Sequence, residues 1–166
     1  MNLDATITQL RLEIERLKAT LAILENLQRQ IEKNRDKRLF VYAHIMDPHW
    51  PHDYGGVKGS KFKRYLAEFD RLGRNLRQFD AWLKQQGLFE RTAVILTSDH
   101  GEACGEHNTS GHSKTLYEEL LRVPLLIRIP GVTPRNVEAP VSLVDLGPTL
   151  LDLYGVPTPG DYMGQS

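Results

Sequence analysis

An aspartate and a histidine stand side by side where an apolar stretch of the chain ends. Asp99 and His100 follow residues 92–97, a short apolar run that predicts a buried strand. A carboxylate supplies charge and an imidazole a borderline-soft nitrogen, so the two can bind one divalent ion. Two ligands do not complete a metal site. Glu102 and Glu106 are further candidates by position, and each can equally be an exposed residue of an acidic loop.

All six histidines fall between positions 44 and 112. Five of them lie in two polar stretches, 47–52 and 98–112, and each stretch follows a predicted strand. In open α/β sheets, ligands bind beyond the carboxyl ends of the strands. The grouping therefore predicts a functional site at these strand ends, although any single loop histidine can also be an exposed residue without such a role.

The elements that position these residues predict an α/β fold with a largely parallel sheet flanked by helices. Three short apolar runs predict strands: 39–45, 92–97 and 123–129. Three stretches with apolar residues at helical spacing predict helices: 61–86, 115–121 and 144–154. Gly87 ends the long helix, and Pro148 stands in or at the start of the first turn of the last one.

Residues 1–38 carry a heptad pattern and predict a long N-terminal helix. Its apolar positions alternate at spacings of four and three: Leu3, Ile7, Leu10, Ile14, Leu17, Leu21, Leu24 and Ile31. Such a pattern is typical of a coiled coil and also of a helix docked on its own domain, and the periodicity does not choose between them. The chain therefore divides into this helix and a second domain at 39–166.

The bulk composition is that of a soluble globular protein, with 40% hydrophobic and 25% charged residues. Lysine plus arginine equals aspartate plus glutamate at 21 each, so no basic excess indicates a nucleic acid partner. No secretory signal and no apolar run near 18 residues is present, which predicts no membrane partner and a cytoplasmic location for the chain as written. Cys104, the single cysteine, cannot form an intramolecular disulfide.

Several separated motifs occur in a particular order. They are MDPHWP at 46–51, TSDHGE at 97–102, GEH at 105–107, His112, LYEELLRVPL at 116–125 and PVSLVDLGPTLLDLYGV at 140–156. Together, over roughly residues 30–166, they resemble the C-terminal part of the catalytic domain of the sulfatase family in the alkaline phosphatase superfamily. The resemblance implies that 39–166 is a partial sulfatase-type domain with part of an alkaline-phosphatase-like sheet. Within the motifs, Glu118 and Arg122 are interpreted as an internal structural pair.

The resemblance implies hydrolysis of small anionic sulfuric esters with a divalent metal, Ca²⁺, with Mn²⁺ or Zn²⁺ as alternatives. Asp99 and His100 occupy positions of metal ligands. His49 occupies that of a histidine that contacts the sulfate and helps the leaving oxygen depart. His112 falls where the family has a lysine or histidine that neutralises charge on the transferred group. These roles suit a transition state that spreads negative charge over oxygens.

The chain departs from the family pattern at the nucleophile. Sulfatases use a formylglycine made from the cysteine or serine of a Cys-x-Pro-x-Arg motif. Cys104 is followed by residues 105–108 (GEHN), which lack both the proline and the arginine, and no Asp-Asp pair stands near the N-terminus. We therefore expect a fragment with an incomplete metal ligand set that is inactive by itself.

Three functional hypotheses remain open at this level. The first is a sulfatase-family hydrolase of sulfuric esters. The second is a phosphodiesterase or phosphonate monoester hydrolase of the same superfamily, which His100 favours because many sulfatases have asparagine there. The third is a non-catalytic protein that oligomerises on a truncated hydrolase fold.

The coiled-coil alternative predicts a homodimer formed through residues 1–31. Under this alternative, analytical ultracentrifugation should show a concentration-dependent dimer, because pairing of two helices would bury the apolar seam. A clean monomer without an exposed apolar patch would count against association through this helix.

Overall fold

The computed structural model describes residues 20–49, 52 and 57–166. Its α-helices are α1 (Thr20–Lys33), α2 (Lys61–Gln85), α3 (Glu118–Leu121) and α4 (Leu146–Tyr154). Its strands are β1 (Val94–Thr97), β2 (Ala103–Cys104), β3 (Ser110–Gly111) and β4 (Leu125–Arg128). Short 3-10 helices span Phe89–Arg91, Glu106–Asn108 and Leu143–Asp145. No helix in these ranges has the length and apolar character needed to cross a membrane.

Helix α2 confirms the long helix predicted from spacing, and both of its ends have a local cause. The Ser60 side chain accepts a hydrogen bond from the Lys63 N–H at 3.3 Å and so caps the first turn. At the other end Gly87 adopts φ +63°. Its N–H donates to the Lys84 carbonyl, and the Leu88 N–H donates to the Leu83 carbonyl. This is a Schellman motif, which glycine accommodates without a steric cost.

The described part of the N-terminal helix, α1, packs on α2. Its buried face holds Ile23, Leu24 and Leu27, whereas Leu21 of the predicted heptad seam is exposed. The buried face is therefore displaced from the seam in this part, since Ile23 and Leu27 lie off the seam. Residues 1–19 lie outside the described part of the chain, so the long heptad helix and the dimer stay predictions.

The predicted strand at 39–45 is wrong, since the segment joins no ladder with any described strand. From residue 41 to residue 46 its side chains alternate between half-buried and exposed, as in a strand. A strand needs a neighbour for its backbone groups, and side chains hold this segment instead. The Tyr154 hydroxyl donates to the Leu39 carbonyl at 2.7 Å, and Tyr154 meets Phe40 edge to face.

Asp47 fixes the end of this extended segment against both long helices. Its buried carboxylate accepts a hydrogen bond from the Thr20 N–H at 3.0 Å. The other carboxylate oxygen lies 3.1 Å from the Arg71 guanidinium of α2. A buried charge needs such partners to offset its desolvation, so Asp47 ties the turn that bears His49 to the helical layer.

The sheet differs from the predicted parallel arrangement. Strands β1 and β4 pair antiparallel, with Thr97 opposite Leu125 and Val94 opposite Arg128. The cause is the connection of residues 98–124, which leaves and returns at the same end of β1 instead of crossing to the far end. The Arg128 guanidinium donates to the Thr92 and Phe89 carbonyls and so secures the opposite end. The helices with this small sheet agree with an α/β class.

The connection after β1 folds as a short hairpin, in which β2 pairs antiparallel with β3. Gly101 joins β1 to this hairpin, and its N–H donates to the Leu120 carbonyl of α3 at 2.8 Å. A Cβ at Gly101 would lie 2.0 Å from the Glu119 carbonyl oxygen. The loop therefore approaches α3 as closely as only glycine permits.

The last two helices agree with the sequence apart from their bounds. Helix α3 begins three residues after the predicted start at 115, and the expected Glu118–Arg122 ion pair is present at 3.1 Å. Helix α4 begins at Leu146, after a 3-10 turn, and Pro148 lies in its first turn as expected. Proline is tolerated there because the first helical N–H groups have no partner within the helix.

We predict that Gly101→Ala destabilises the fold by roughly 1–3 kcal/mol, because backbone atoms of α3 must move to admit the new methyl group. Urea unfolding should show a lower midpoint with an unchanged slope. Gly160→Ala is the matched control, since nothing lies within 4 Å of its added Cβ. Equal midpoints for the two variants would contradict the close approach.

Candidate functional site

Three of the predicted site residues come together at the C-terminal end of β1. The His49 and His112 ring centroids lie 5.4 Å apart, and those of His100 and His112 lie 4.3 Å apart. His49 comes from the turn after the extended segment, His100 from the loop after β1, and His112 from the residue that follows β3. Three separate segments thus bring their imidazoles into one cluster, which we call the imidazole cluster.

A carboxylate fixes one side of this cluster. Glu102 Oε2 lies 2.9 Å from His112 Nδ1, and Glu102 Oε1 accepts a hydrogen bond from Lys61 Nζ at 2.6 Å. The Glu102 side chain is 8% exposed. Burial raises the pKa of this carboxyl, but the hydrogen bonds from Lys61 and His112 outweigh burial and hold the pKa below its ordinary value. Glu102 is therefore an ionised acceptor at neutral pH.

Lys61, the first residue of α2, connects this carboxylate to the hairpin. Besides Glu102, its ammonium donates to the Ala103 carbonyl and to Ser110 Oγ, both at 3.0 Å. One cation thus contacts the loop before β2, strand β2 itself and strand β3. His112 directly follows β3. Lys61 therefore holds both the backbone that carries the His112 imidazole and the Glu102 carboxylate that this imidazole contacts.

His52 lies behind the cluster and is 1% exposed. Its Nε2 lies 4.0 Å from Glu102 Oε1, beyond hydrogen-bonding distance. Its ring meets Tyr65 edge to face, with centroids 5.4 Å apart. Burial lowers the pKa of His52, and the nearby Glu102 carboxylate opposes that shift only in part. The folded protein therefore holds this imidazole in its neutral form.

The predicted metal ligands, Asp99 and His100, lie next to each other at the surface. The Asp99 side chain is 70% exposed, and its Oδ2 lies 3.8 Å from His100 Nε2. His100 Nδ1 lies 2.8 Å from the Gly101 carbonyl oxygen. A carbonyl only accepts, so Nδ1 carries the proton and Nε2 has a lone pair for a ligand, as in many metal-binding histidines. The described residues nevertheless hold no group of three or more metal-binding side chains.

Sequence reasoning missed two participants and the role of a third. Glu102 was a candidate metal ligand by position, whereas the structure pairs it with His112 and Lys61. The sequence marks Lys61 only as the start of a helix, and His52 only as one histidine in a histidine-bearing stretch. Lys61 and Glu102 are 41 positions apart in the sequence, and Glu102 and His112 are 10 positions apart. Contacts over such separations leave no periodic pattern in the sequence. His107, by contrast, pairs with Glu119 at 2.9 Å, in a second and more exposed contact.

Comparison with known proteins identifies the family. The family model described as Sulfatase matches residues 18–156, which is most of the chain. The chain belongs to the sulfatase family. Arylsulfatase K of Bos taurus is 46% identical over 85 residues, which cover 51% of this chain and 16% of that protein. The uncharacterized sulfatase YidJ of Escherichia coli is 40% identical over 77 residues, covering 46% of this chain and 16% of that protein. The chain thus spans about one sixth of the length of these relatives.

Two solved structures share the fold of this sulfatase-family chain. The phosphonate monoester hydrolase SpPMH from Silicibacter pomeroyi superposes with a TM-score of 0.61 and 34% identity, covering 64% of this chain and 21% of that one. A second structure, BT4656 in complex with its substrate D-glucosamine-2-N,6-O-disulfate, superposes with a TM-score of 0.52 and 31% identity. It covers 68% of this chain and 25% of that one. The alkaline-phosphatase-like fold fits both comparisons.

The buried neutral His52 predicts a loss of stability in mild acid. As pH falls below the ordinary histidine pKa of 6.5, His52 binds a proton in the unfolded chain, whereas its lowered pKa keeps it neutral in the folded chain. The unfolded state then binds more protons, so the free energy of unfolding decreases as pH falls. His52→Gln cannot titrate and should reduce the slope of this free energy against pH between about 7 and 5.

Urea unfolding at a series of pH values measures this slope. His44→Gln, which removes an exposed imidazole from the extended segment, is the matched control for loss of a histidine. Parallel curves for the wild type and His52→Gln would show that His52 takes up its proton equally well in both states.

Proposed function

We propose that this chain forms the part of a sulfatase-type hydrolase site that binds the anionic group of a sulfuric ester and assists its leaving oxygen. The observation that carries the proposal is the imidazole cluster, in which His49, His100 and His112 meet beside an ionised carboxylate. Imidazole N–H groups donate to anionic oxygens, and a group with a pKa near neutrality can also deliver a proton.

The cluster divides these tasks by position. His112, in its protonated form, donates from Nε2 to an oxygen of the transferred group, since Glu102 occupies Nδ1 on the other side of the ring. His49, whose ring meets His112 edge to face, protonates the oxygen of the departing alcohol. Positioned donors stabilise charge that develops in the transition state more than charge in the ground state, which is the source of their catalytic effect.

A divalent ion fits the donors only in part. Asp99 would supply an oxygen and His100 its Nε2, a pairing that suits Ca²⁺, Mn²⁺ or Zn²⁺ to different degrees. The described residues do not complete such a shell. When bound, a divalent ion would add positive charge opposite the ester oxygens. The roles proposed for His49 and His112 use hydrogen bonds that their imidazoles would donate to the substrate, and these roles do not require that ion.

Hydrolysis of phosphonate monoesters is the second candidate. The similarity to SpPMH, at 34% identity over 64% of this chain, favours it. Sulfuric and phosphonic esters both present tetrahedral anionic groups, so the same imidazole donors serve either. Both are monoanions that can release the same alcohol, and they differ in the central atom and in the carbon substituent of the phosphonate, so only turnover separates them.

Anion binding provides the direct test. Titration with inorganic sulfate and with methylphosphonate, followed by calorimetry, should give saturable binding to the wild-type chain. His112→Gln should weaken it roughly tenfold or more, because a hydrogen bond to a charged group contributes about 1.5–3 kcal/mol. His44→Gln, on an exposed imidazole away from the cluster, is the control. Undetectable binding, or equal affinity in His112→Gln, would contradict the proposal.

Turnover tests whether this chain acts alone. We expect no hydrolysis of 4-nitrophenyl sulfate or of an aryl phosphonate monoester with added Ca²⁺ or Mn²⁺, because its only cysteine, Cys104, lacks the Cys-x-Pro-x-Arg context. Product release measured by absorbance decides the matter. Metal-dependent turnover that Asp99→Ala abolishes would overturn this expectation, and the preferred ester would then choose between the two candidate activities.

A further inference from the structure

We propose that Glu102 is a positioning residue that holds His112 in one tautomer, with the proton on Nδ1, and that Lys61 enforces this by occupying the other carboxylate oxygen. The evidence for this inference is the geometry around Glu102. Its importance rests on the proposed function, because the tautomer determines whether His112 Nε2 donates to or accepts from an anionic ester.

The two oxygens of the carboxylate have different partners. Oε1 accepts from the Lys61 ammonium at 2.6 Å, and Oε2 lies 2.9 Å from His112 Nδ1. His52 Nε2, at 4.0 Å from Oε1, lies beyond hydrogen-bonding distance. Each oxygen therefore has one close polar side chain, and no other described histidine competes with His112 for Oε2.

Only one placement of the hydrogens satisfies the hydrogen bonds among Lys61, Glu102 and His112. An ammonium only donates, and an ionised carboxylate only accepts. His112 Nδ1 must therefore carry a hydrogen to bond with Oε2, in the neutral ring and in the cationic ring alike. The opposite nitrogen, Nε2, is then a proton acceptor in the neutral ring and a donor in the cation, which are the two states that a proton-exchanging or anion-binding group needs.

Lys61 determines which oxygen of the Glu102 carboxylate faces His112. Its ammonium also contacts the Ala103 carbonyl and Ser110 Oγ, so it cannot follow Glu102 elsewhere without losing two further hydrogen bonds. The low exposure of the Glu102 side chain prevents water from readily replacing either partner. A side chain at position 102 must thus direct a hydrogen-bond acceptor toward Lys61, and the second terminal atom of its carboxylate or amide then faces His112.

This constraint predicts an unusual outcome for Glu102→Gln. The glutamine oxygen must face Lys61, because the ammonium has no acceptor for an amide N–H. The amide NH₂ group then faces His112 and donates to Nδ1. His112 should lose the proton from Nδ1 and carry it on Nε2, so that the substitution reverses the tautomer although it changes one atom.

The test is ¹⁵N NMR of the histidine side chains without substrate, at a pH of about 8.5, two units above the ordinary histidine pKa. Protonated and bare imidazole nitrogens have widely separated ¹⁵N shifts, and His112→Gln assigns the His112 signals. The wild type should show a protonated Nδ1 on His112, and Glu102→Gln a bare Nδ1 with a protonated Nε2. A bare Nδ1 in the wild type, or a protonated Nδ1 in Glu102→Gln, would overturn the inference.

A matched control exists in the same chain. His107 Nδ1 lies 2.9 Å from Glu119 Oε1, which is the same pairing with no lysine of the described residues bonded to the second oxygen and with the imidazole half exposed. Glu119→Gln should change the His107 signals and leave those of His112 in place. Since the wild-type measurement does not use Glu102→Gln, failure of that variant to fold does not remove the test. Because no anion is present, the tautomer and the proposed anion binding can each fail independently.

Discussion

The contact between Lys61 and Glu102 is the interaction on which the candidate site depends. It joins the first residue of α2 to the loop that follows β1, and both side chains are largely withdrawn from water. A charged pair in such a place is not by itself a source of much stability, because desolvation offsets its attraction. Its effect is specificity: losing Lys61 would remove the cation that meets Glu102, and losing Glu102 would leave the Lys61 ammonium without its anion, so the loop, the hairpin and His112 are held in one arrangement.

The rest of the architecture serves to bring short, polar segments to this pair. Gly101 lets the loop after β1 rest directly on α3, and the hairpin of β2 and β3 returns the chain to His112. Asp47 holds the turn that bears His49 against α1 and α2. The functional side chains thus stand on loops, while the helices and the small sheet restrict where those loops can go.

Local chemistry made part of this structure predictable. The 3.6-residue spacing and Gly87 gave α2 to within one residue, because a long amphipathic helix and its glycine stop are short-range features. The strand at 39–45 and the parallel sheet were wrong, because an apolar run specifies an extended backbone but not its ladder partner. The direction of β4 depended on where residues 98–124 return, which no local pattern records.

The candidate site likewise has features that the sequence predicts and features that depend on the folded structure. The family, the strand end at Asp99 and His100 and the concentration of histidines follow from the amino-acid sequence, since residue types and motif order persist without any folding. Folding, in contrast, brings His49, His100 and His112 together, buries His52 and pairs Glu102 with His112 instead of leaving it free as a metal ligand. Hydrogen bonds act over about 3 Å, and the packing of whole elements sets the distance in space between Lys61 and Glu102.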